Sequence, residues 1–294
     1  MKNHRISLVV PIYNGINFID DFLESAKGLL EDIEIIFVDN GSSDKSFDYL
    51  KERTNKMELC KVIKFKEKQS SYAARNHGCK LAVGNVLAFT DIDCILTDSY
   101  KKEIKKLNFH NEHGLVTGPT NIFFKSKNIY EIFDKNTYLL QEEYAKNQYA
   151  ATANLITTRE IFDKVGGFPE FTSGADNKFC EKAEKLGFRI IFKKDLIIEH
   201  PPRDSFKEHI VKAKRLGIGH GERFLDLKKG KIQIVLMLFK QMISIFLPLN
   251  STRILIRIKS NHVLDLRDTF KIIYLCLAVN IYQRLEIIKT ILRR

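Results

Sequence analysis

"VLAFTDIDCIL", residues 86–96, decides the fold. Val86 to Thr90 run apolar, as a strand buried on both faces of a helix-covered parallel sheet does. Asp91 and Asp93 follow with a single residue between them. Two carboxylates at one strand end call for a cation shared with an anionic ligand, or for an ordinary polar turn. The flanking chain has to choose between them.

Upstream, "ISLVVPI" (Ile6 to Ile12) reads as a buried strand. Ile16, Ile19, Phe22, Leu23, Ala26, Leu29 and Leu30 then recur at helical spacing. "IEIIFV" (Ile33 to Val38) is a second strand, followed by the loop "DNGSSD" and a helix near Lys45 to Thr54. "KVIKF" is a third strand, "SYAARNHGCKLAV" a helix, and "VLAFT" the fourth strand. Such alternation makes right-handed βαβ units, an α/β fold with a Rossmann-like, mostly parallel sheet flanked by helices. No G-x-G-x-x-G follows the first strand, so the dinucleotide fingerprint is missing. Downstream lie a strand at "GLVTG", one long helix around Asn128 to Lys146, and a strand-like "ATANLITT". A helix from Asp176 to Leu186 has Phe179, Ala183 and Leu186 facing inward and is stopped by Gly187. "FRIIFK" and "LIIEH" close the sheet.

Hydrophobic residues make up 44% and charged residues 29% of the 294, which argues against a disordered chain. Five cysteines with no C-x-x-C pair argue against a disulfide framework or structural zinc, and favour a reducing compartment. The short apolar run after Lys2 and Arg5 reads as a first strand and not as a signal peptide. Charge is unevenly distributed. Residues 1–202 balance at 29 basic and 29 acidic, whereas residues 203–294 hold 19 basic against 7 acidic, the whole net +12. A basic tail on a neutral body points to an anionic partner.

Ligands of an open parallel sheet bind beyond the carboxyl ends of its strands. Three polar groups fall there: "PIYNG", Asp39 with "NGSSD", and Asp91 with Asp93. A nucleotide diphosphate brought to these carboxylates would be repelled, and the chain has no Gly-rich phosphate loop. A hard cation, Mn²⁺ or Mg²⁺, resolves the conflict.

In order and spacing, "VVPIYNG", "VDNGSSD", "AARNHG", "TDID", "VGGF…SGADNKF" and "IIEH" resemble the motifs of family 2 glycosyltransferases of the GT-A fold. The resemblance covers roughly residues 5 to 225. It implies a nucleotide-sugar donor, UDP-linked in expectation, a divalent metal, and transfer with inversion at the anomeric carbon. Pro11 and Tyr13 would line the base and ribose pocket, and Asp39 would accept a hydrogen bond from the base. Arg75 would approach the nucleotide or diphosphate, Asp91 would face the ribose, and Asp93 would bind the metal, joined by His200. Asp176 would be the general base for the acceptor hydroxyl. The family pattern has Glu-Asp there, and this chain has Ala175-Asp176, which bears on how an acceptor is oriented.

Each residue has a plainer reading. Pro11 and Tyr13 can be a strand end, Asp39 an Asx turn, Arg75 a solvated helix arginine, Asp176 a helix cap and His200 a structural histidine. Lys214 and Arg215 in "KRLGIGHGE" read best as a solvated helix face, since no Q-x-x-R-W motif is present.

Beyond residue 225 the chain turns apolar and basic together. This sets the expected boundary between a catalytic domain, 1–225, and a basic amphipathic helical appendage, 226–294. "IQIVLMLFKQMISIFLPL" has Gln233, Lys240, Gln241, Ser244 and Pro248 near one stripe, so it reads as an interfacial helix and not as a membrane span. A second such stretch runs from Phe270 to Leu292 and ends in Arg293-Arg294. The alternative is a helical pair packed on the catalytic domain or on a second copy in a homo-oligomer. Nucleic acid is not an expected partner, because no recognition motif is present.

The expected protein is therefore a glycosyltransferase of bacterial-type surface polysaccharide synthesis. It would work on a glycan or lipid-linked acceptor, and would be cytoplasmic and peripheral at the inner face of the cell membrane, on its anionic surface. The rivals are a non-catalytic sugar-nucleotide or glycan-binding subunit, and a nucleotidyltransferase.

Overall fold

The computed structural model describes residues 5–67, 70–107, 114–246 and 249–293. Lys2, Leu247, Pro248 and Arg294, which entered the readings above, lie outside the described residues. The strands are β1 (Ile6–Ile12), β2 (Glu34–Asp39), β3 (Cys60–Lys64), β4 (Val86–Phe89), β5 (Ile95–Leu96), β6 (Gly114–Thr117), β7 (Thr120–Ile122), β8 (Leu155–Thr158), β9 (Arg189–Phe192) and β10 (Ile198–His200). The helices of the first two thirds are α1 (Ile19–Ser25), α2 (Ser46–Thr54), α3 (Ser71–Leu81), α4 (Asp98–Ile104), α5 (Ile129–Thr137), α6 (Gln141–Lys146), α7 (Arg159–Val165) and α8 (Ala175–Lys185). Four longer ones follow: α9 (Phe206–Asp226), α10 (Lys231–Phe246), α11 (Leu249–Asn261) and α12 (Leu266–Leu292).

The chain divides into two compact units. One comprises residues 1–121, 139–170 and 176–200, and the other residues 122–138, 171–175 and 201–294. The first contains the seven-stranded sheet, ordered β3-β2-β1-β4-β8-β6-β9. β1 pairs in parallel with β2 and β4, β2 with β3, and β6 with β9; β8 alone runs antiparallel, between β4 and β6. This is the mostly parallel α/β sheet that the alternating pattern predicts. All seven residues of β1 are buried because both faces are covered. Leu8, Val10 and Ile12 join Phe22, Leu23 and Leu50 in one core. On the other face α3 lies close to the sheet: a Cβ on Gly78 would stand 2.5 Å from Val9 Cγ1 and 3.1 Å from Val38 Cγ2. The C-terminus of α3 is closed by Arg159, whose guanidinium donates to the carbonyls of Cys79, Ala82 and Gly84 at 2.7–3.1 Å. Seating and closure together fix the position of the helix that carries Arg75.

The single helix expected over Asn128 to Lys146 is two helices. Tyr138 is extended and Leu139 takes φ 55°, which no α-helix accommodates, and α6 restarts at Gln141. Leu186, expected to face inward, is 53% exposed, whereas Phe179 and Ala183 are buried. Gly187 stands just past α8 at φ 89°, the left-handed stop that its position predicts.

The second unit places α9 with the C-terminal helices, so packing breaks the chain after His200 and not near residue 225. The reason is small residues. A Cβ on Gly217 would stand 2.4 Å from the Gln283 carbonyl, and one on Gly221 2.7 Å from Thr290 Cβ, so α9 and α12 approach backbone to backbone. Around them Ile132, Phe133, Ala213, Ile258, Ile272 and Leu275 form this unit's own core. Buried Asp134 is paired with Arg203 at 3.0 Å.

Candidate active site

The site is built on the carboxyl ends of β1, β2 and β4. Pro11 is buried within β1, opposite Val38, and Tyr13, just past the strand, is 52% exposed. The loops after β1 and β2 are laced together. Asn14, at φ 50°, accepts through Oδ1 from the Ser43 N–H at 2.8 Å, and its own N–H donates to Ser42 Oγ at 2.9 Å. The Gly15 and Ile16 N–H groups donate to Ser46 Oγ at 3.0 Å and Asp44 Oδ2 at 3.1 Å. Hydrogen bonding holds the Asp44 carboxyl below the usual carboxylate range, against the opposing effect of burial. The strand-end stretches "PIYNG" and "NGSSD" thus bond chiefly to each other's loop: short polar side chains there take up backbone N–H groups.

Asp39, 2% exposed, makes the Asx turn with one oxygen and leaves the other over. Oδ1 accepts from the N–H groups of Gly41 and Ser42, both at 3.2 Å, which is the Asx turn. Oδ2 is buried and has no hydrogen-bond partner among the described residues. An acceptor left in this state is costly by about 1–3 kcal/mol and suited to an incoming N–H.

Arg75 is not a solvated helix arginine. It is 1% exposed, and its Nη2 is ion-paired with Asp91 Oδ1. Next to it, Asn76 exchanges two hydrogen bonds with the backbone of Phe168, at 2.7 and 3.0 Å, tying "VGGF" to α3. The turn from Asp91 is closed by the Cys94 N–H donating to the Asp91 carbonyl at 3.1 Å. Asp93 Oδ2 lies 3.5 Å from His200 Nε2, and Asp93 Oδ1 is buried without a partner among the described residues. His200 arrives from elsewhere, at the end of β10 in a three-stranded sheet ordered β5-β10-β7.

One ligand atom each from Asp91, Asp93, Cys94 and His200 lie within 4.8 Å of one another. The donor set fits a divalent cation: two carboxylates, one with an orphaned buried oxygen, and an imidazole. Cys94 is close but chemically unsuited. Complete burial, and then the charges of Asp93 and Asp91, push its thiol well above the usual value, and a hard cation prefers oxygen. The imidazole suits Mn²⁺ better than Mg²⁺, which favours an all-oxygen shell.

Asp176 is 6% exposed and is the second residue of α8, so it stands inside the first turn and not at the cap position. Oδ1 accepts from the Asn177 N–H at 2.9 Å and Oδ2 from the Thr152 N–H at 3.4 Å. Thr152 lies three residues before Leu155, which pairs with Phe89, and β8 runs antiparallel to β4. The contact with Thr152 therefore holds Asp176 at the same end of the sheet as Asp91 and Asp93. Its charge is felt by Tyr149, whose phenol is pushed well above its usual value, by burial first and by Asp176 next. Lys214 and Arg215 are exposed on α9, as their solvated-face reading expects.

Residues 7–166 match the family described as Glycosyl transferase family 2. This chain belongs to glycosyltransferase family 2. The matched segment contains Asp39, Arg75, Asp91 and Asp93 and stops short of Asp176 and His200. Glycosyltransferase AglE of Haloferax volcanii is 29% identical over 222 residues, 73% of this chain and 72% of that one. A poly(ribitol-phosphate) beta-glucosyltransferase of Bacillus spizizenii is 37% identical over 93 residues, 30% of this chain and 15% of that one. Mannosyltransferase PcManGT of Pyrobaculum calidifontis, solved with GDP-Man and Mn²⁺, superposes with a TM-score of 0.56 at 20% identity, covering 79% of this chain and 66% of that one. S. aureus TarS 1–349, solved with UDP-GlcNAc, gives 0.52 at 21% identity, covering 72% and 66%. The family 2 chain thus spans just under two thirds of the solved chains it resembles, and what it shares with them is the GT-A fold. As a family 2 member it is a transferase enzyme.

Proposed function

We propose that this enzyme transfers a sugar, with inversion, from a nucleotide-sugar donor to a hydroxyl of a glycan or lipid-linked acceptor in surface polysaccharide synthesis. The observation that carries this reading is the gathering of Asp91, Asp93 and His200 within 4.8 Å beyond the end of β4. Asp93 and His200 would hold Mn²⁺ or Mg²⁺, and the cation would neutralise the diphosphate and its developing charge as the leaving group. Asp39 Oδ2 would accept from the base, and Pro11 and Tyr13 would line the pocket of base and ribose. Arg75 holds Asp91 in place for the ribose while its own charge offsets part of the diphosphate repulsion. Asp176 would take the proton from the acceptor hydroxyl.

UDP is our first choice of carrier, supported by TarS with UDP-GlcNAc; PcManGT with GDP-Man makes GDP the comparison. An acceptor on lipid would put the enzyme at the inner face of the cell membrane. Thermal shifts of the full chain with UDP-sugars and GDP-sugars, in Mn²⁺ and in EDTA, test the reading. A rise in Tm with one nucleotide series in Mn²⁺, lost in EDTA, is expected. Equal shifts in EDTA would remove the metal from the mechanism.

A further inference from the structure

Helix α10 is apolar on both faces: Ile234, Met237, Leu238 and Ile245 are half-buried on the inner one. Its buried residue is Gln241, 2% exposed, whose Oε1 accepts from Arg284 Nη1 of α12 at 2.8 Å. Beside it the Ser244 carbonyl accepts from Asn280 Nδ2 of α12 at 2.8 Å. The opposite face carries Ile232, Val235, Leu236, Phe239, Ile243 and Phe246, each between 42% and 77% exposed. A surface helix in water turns its apolar stripe to the core and its polar face to solvent. This helix adds a second apolar stripe where the polar face belongs, which suits surroundings that are themselves apolar.

Charge says what those surroundings are. At about 3.6 residues per turn, Lys231 falls on one flank of the stripe and Lys240 on the other. Residues 227–261 contain seven Lys and Arg and no Asp or Glu. At the start of α10, a cleft of about 210 Å³ is lined by Phe224, Leu225, Ile234 and Ile291 together with Lys228 and Lys229. A lining of apolar side chains and two lysines matches an acyl segment with a phosphate head group. A second copy of this chain would set lysine flank against lysine flank, which is repulsive; an anionic bilayer complements both features. Among the described residues no helix is long and apolar enough to cross a membrane. α10, at 16 residues, fits a helix lying in the interface.

We infer that this surface is a docking site for an anionic lipid bilayer. The α10 stripe enters the acyl boundary, and Lys228, Lys229, Lys231 and Lys240 meet head-group phosphates. The inference does not depend on which donor the active site takes. The full chain should co-sediment with vesicles of equimolar phosphatidylcholine and phosphatidylglycerol, far more weakly with phosphatidylcholine alone, and less in high salt. Leu236→Glu with Phe239→Glu, and separately Lys228→Glu with Lys229→Glu and Lys231→Glu, should each weaken binding by at least about tenfold. Both variants should keep the wild-type circular dichroism, Tm and nucleotide binding, because the changed side chains are exposed and far from the nucleotide residues in sequence. Wild-type protein left in the supernatant with anionic vesicles overturns the inference, as do variants that bind like wild type. A dimer by light scattering that ignores vesicles and is split by the Leu236/Phe239 changes would reassign the face to a second copy.

Discussion

Arg75 of α3 and Asp91 beyond β4 form an ion pair whose guanidinium is 2% exposed and whose carboxylate is 35% exposed. The asymmetry decides what each loss costs. Without Asp91 a buried cation has no counter-charge, whereas without Arg75 the carboxylate can turn toward water. Asp91→Ala should therefore lower the unfolding free energy by about 3 kcal/mol, and Arg75→Met by only about 1 kcal/mol. Urea denaturation of the two variants measures the difference, and equal costs would mean that exposure does not govern the pair.

Asp93 should behave in the opposite way. Its buried Oδ1 has no partner among the described residues, so the native fold carries it as a burden of about 1–3 kcal/mol. Asp93→Asn keeps the shape and removes the charge. In metal-free buffer this variant should be as stable as wild type or more so, while its Mn²⁺-dependent affinity for UDP falls at least about tenfold. Calorimetric titration that finds wild-type UDP affinity in the variant would sink the metal assignment.

His220 makes the second unit sensitive to acid. Burial first, and then the charges of Arg223 and Arg284, lower its pKa from 6.5 to about 4. Its Nδ1 lies 3.1 Å from Gln283 Nε2, a contact that a neutral ring can accept and a protonated one cannot. Because the unfolded chain takes up the proton first, stability is complete above pH 6.5 and is lost as pH falls toward 4. The loss attributable to this group approaches about 3 kcal/mol at the lower end. Stability measured against pH for wild type and His220→Gln should converge toward pH 4, with wild type losing more on the way down. Parallel curves would remove His220 as the cause.

Gly217 and Gly221 set two effects of opposite sign against each other. Alanine is a better helix former than glycine by about 1 kcal/mol, so Gly→Ala in an ordinary helix stabilises. Here a Cβ at position 217 would meet the Gln283 carbonyl at 2.4 Å, and backbone cannot step aside as a side chain can. Overpacking of this kind costs about 1–3 kcal/mol, and the clash should win. Gly217→Ala should lower Tm; a rise would show that α9 and α12 can separate without loss.

The strand ends were legible because a strand covered on both faces is apolar along its length, and the first polar residue marks the rim. Asp39, Asp91 and Asp93 stand out in this way, and so do "PIYNG" and "NGSSD", although not the hydrogen bonds that lace the two loops together. His200 reaches the cluster through a two-residue pairing of β10 with β5, too short to leave a period in the sequence. Arg75 resembled a solvated residue because its partner lies 16 positions along, on another element. The break at Tyr138 to Leu140 carries no glycine or proline. In α10, periodicity shows a stripe but cannot say which face the fold turns inward, and the hydrogen bonds from Arg284 to Gln241 and from Asn280 to Ser244 decide it.

Asp176→Asn separates chemistry from structure. The residue is inside the first turn of α8, so a cap is not its service, and its bond to the Thr152 N–H is long at 3.4 Å. Asparagine keeps an acceptor oxygen for the Asn177 N–H, so the stability loss should stay near about 1 kcal/mol. What it lacks is a carboxylate able to receive a proton. Transfer should fall by about 10²-fold or more with donor affinity nearly unchanged, so that kcat drops while KM for the donor holds. Ala175, where the family pattern has glutamate, leaves Asp176 as the carboxylate of that motif, which makes the substitution decisive. A variant that transfers sugar at close to the wild-type rate would place the base elsewhere. A variant that loses donor binding together with rate would mean that Asp176 shapes the pocket instead.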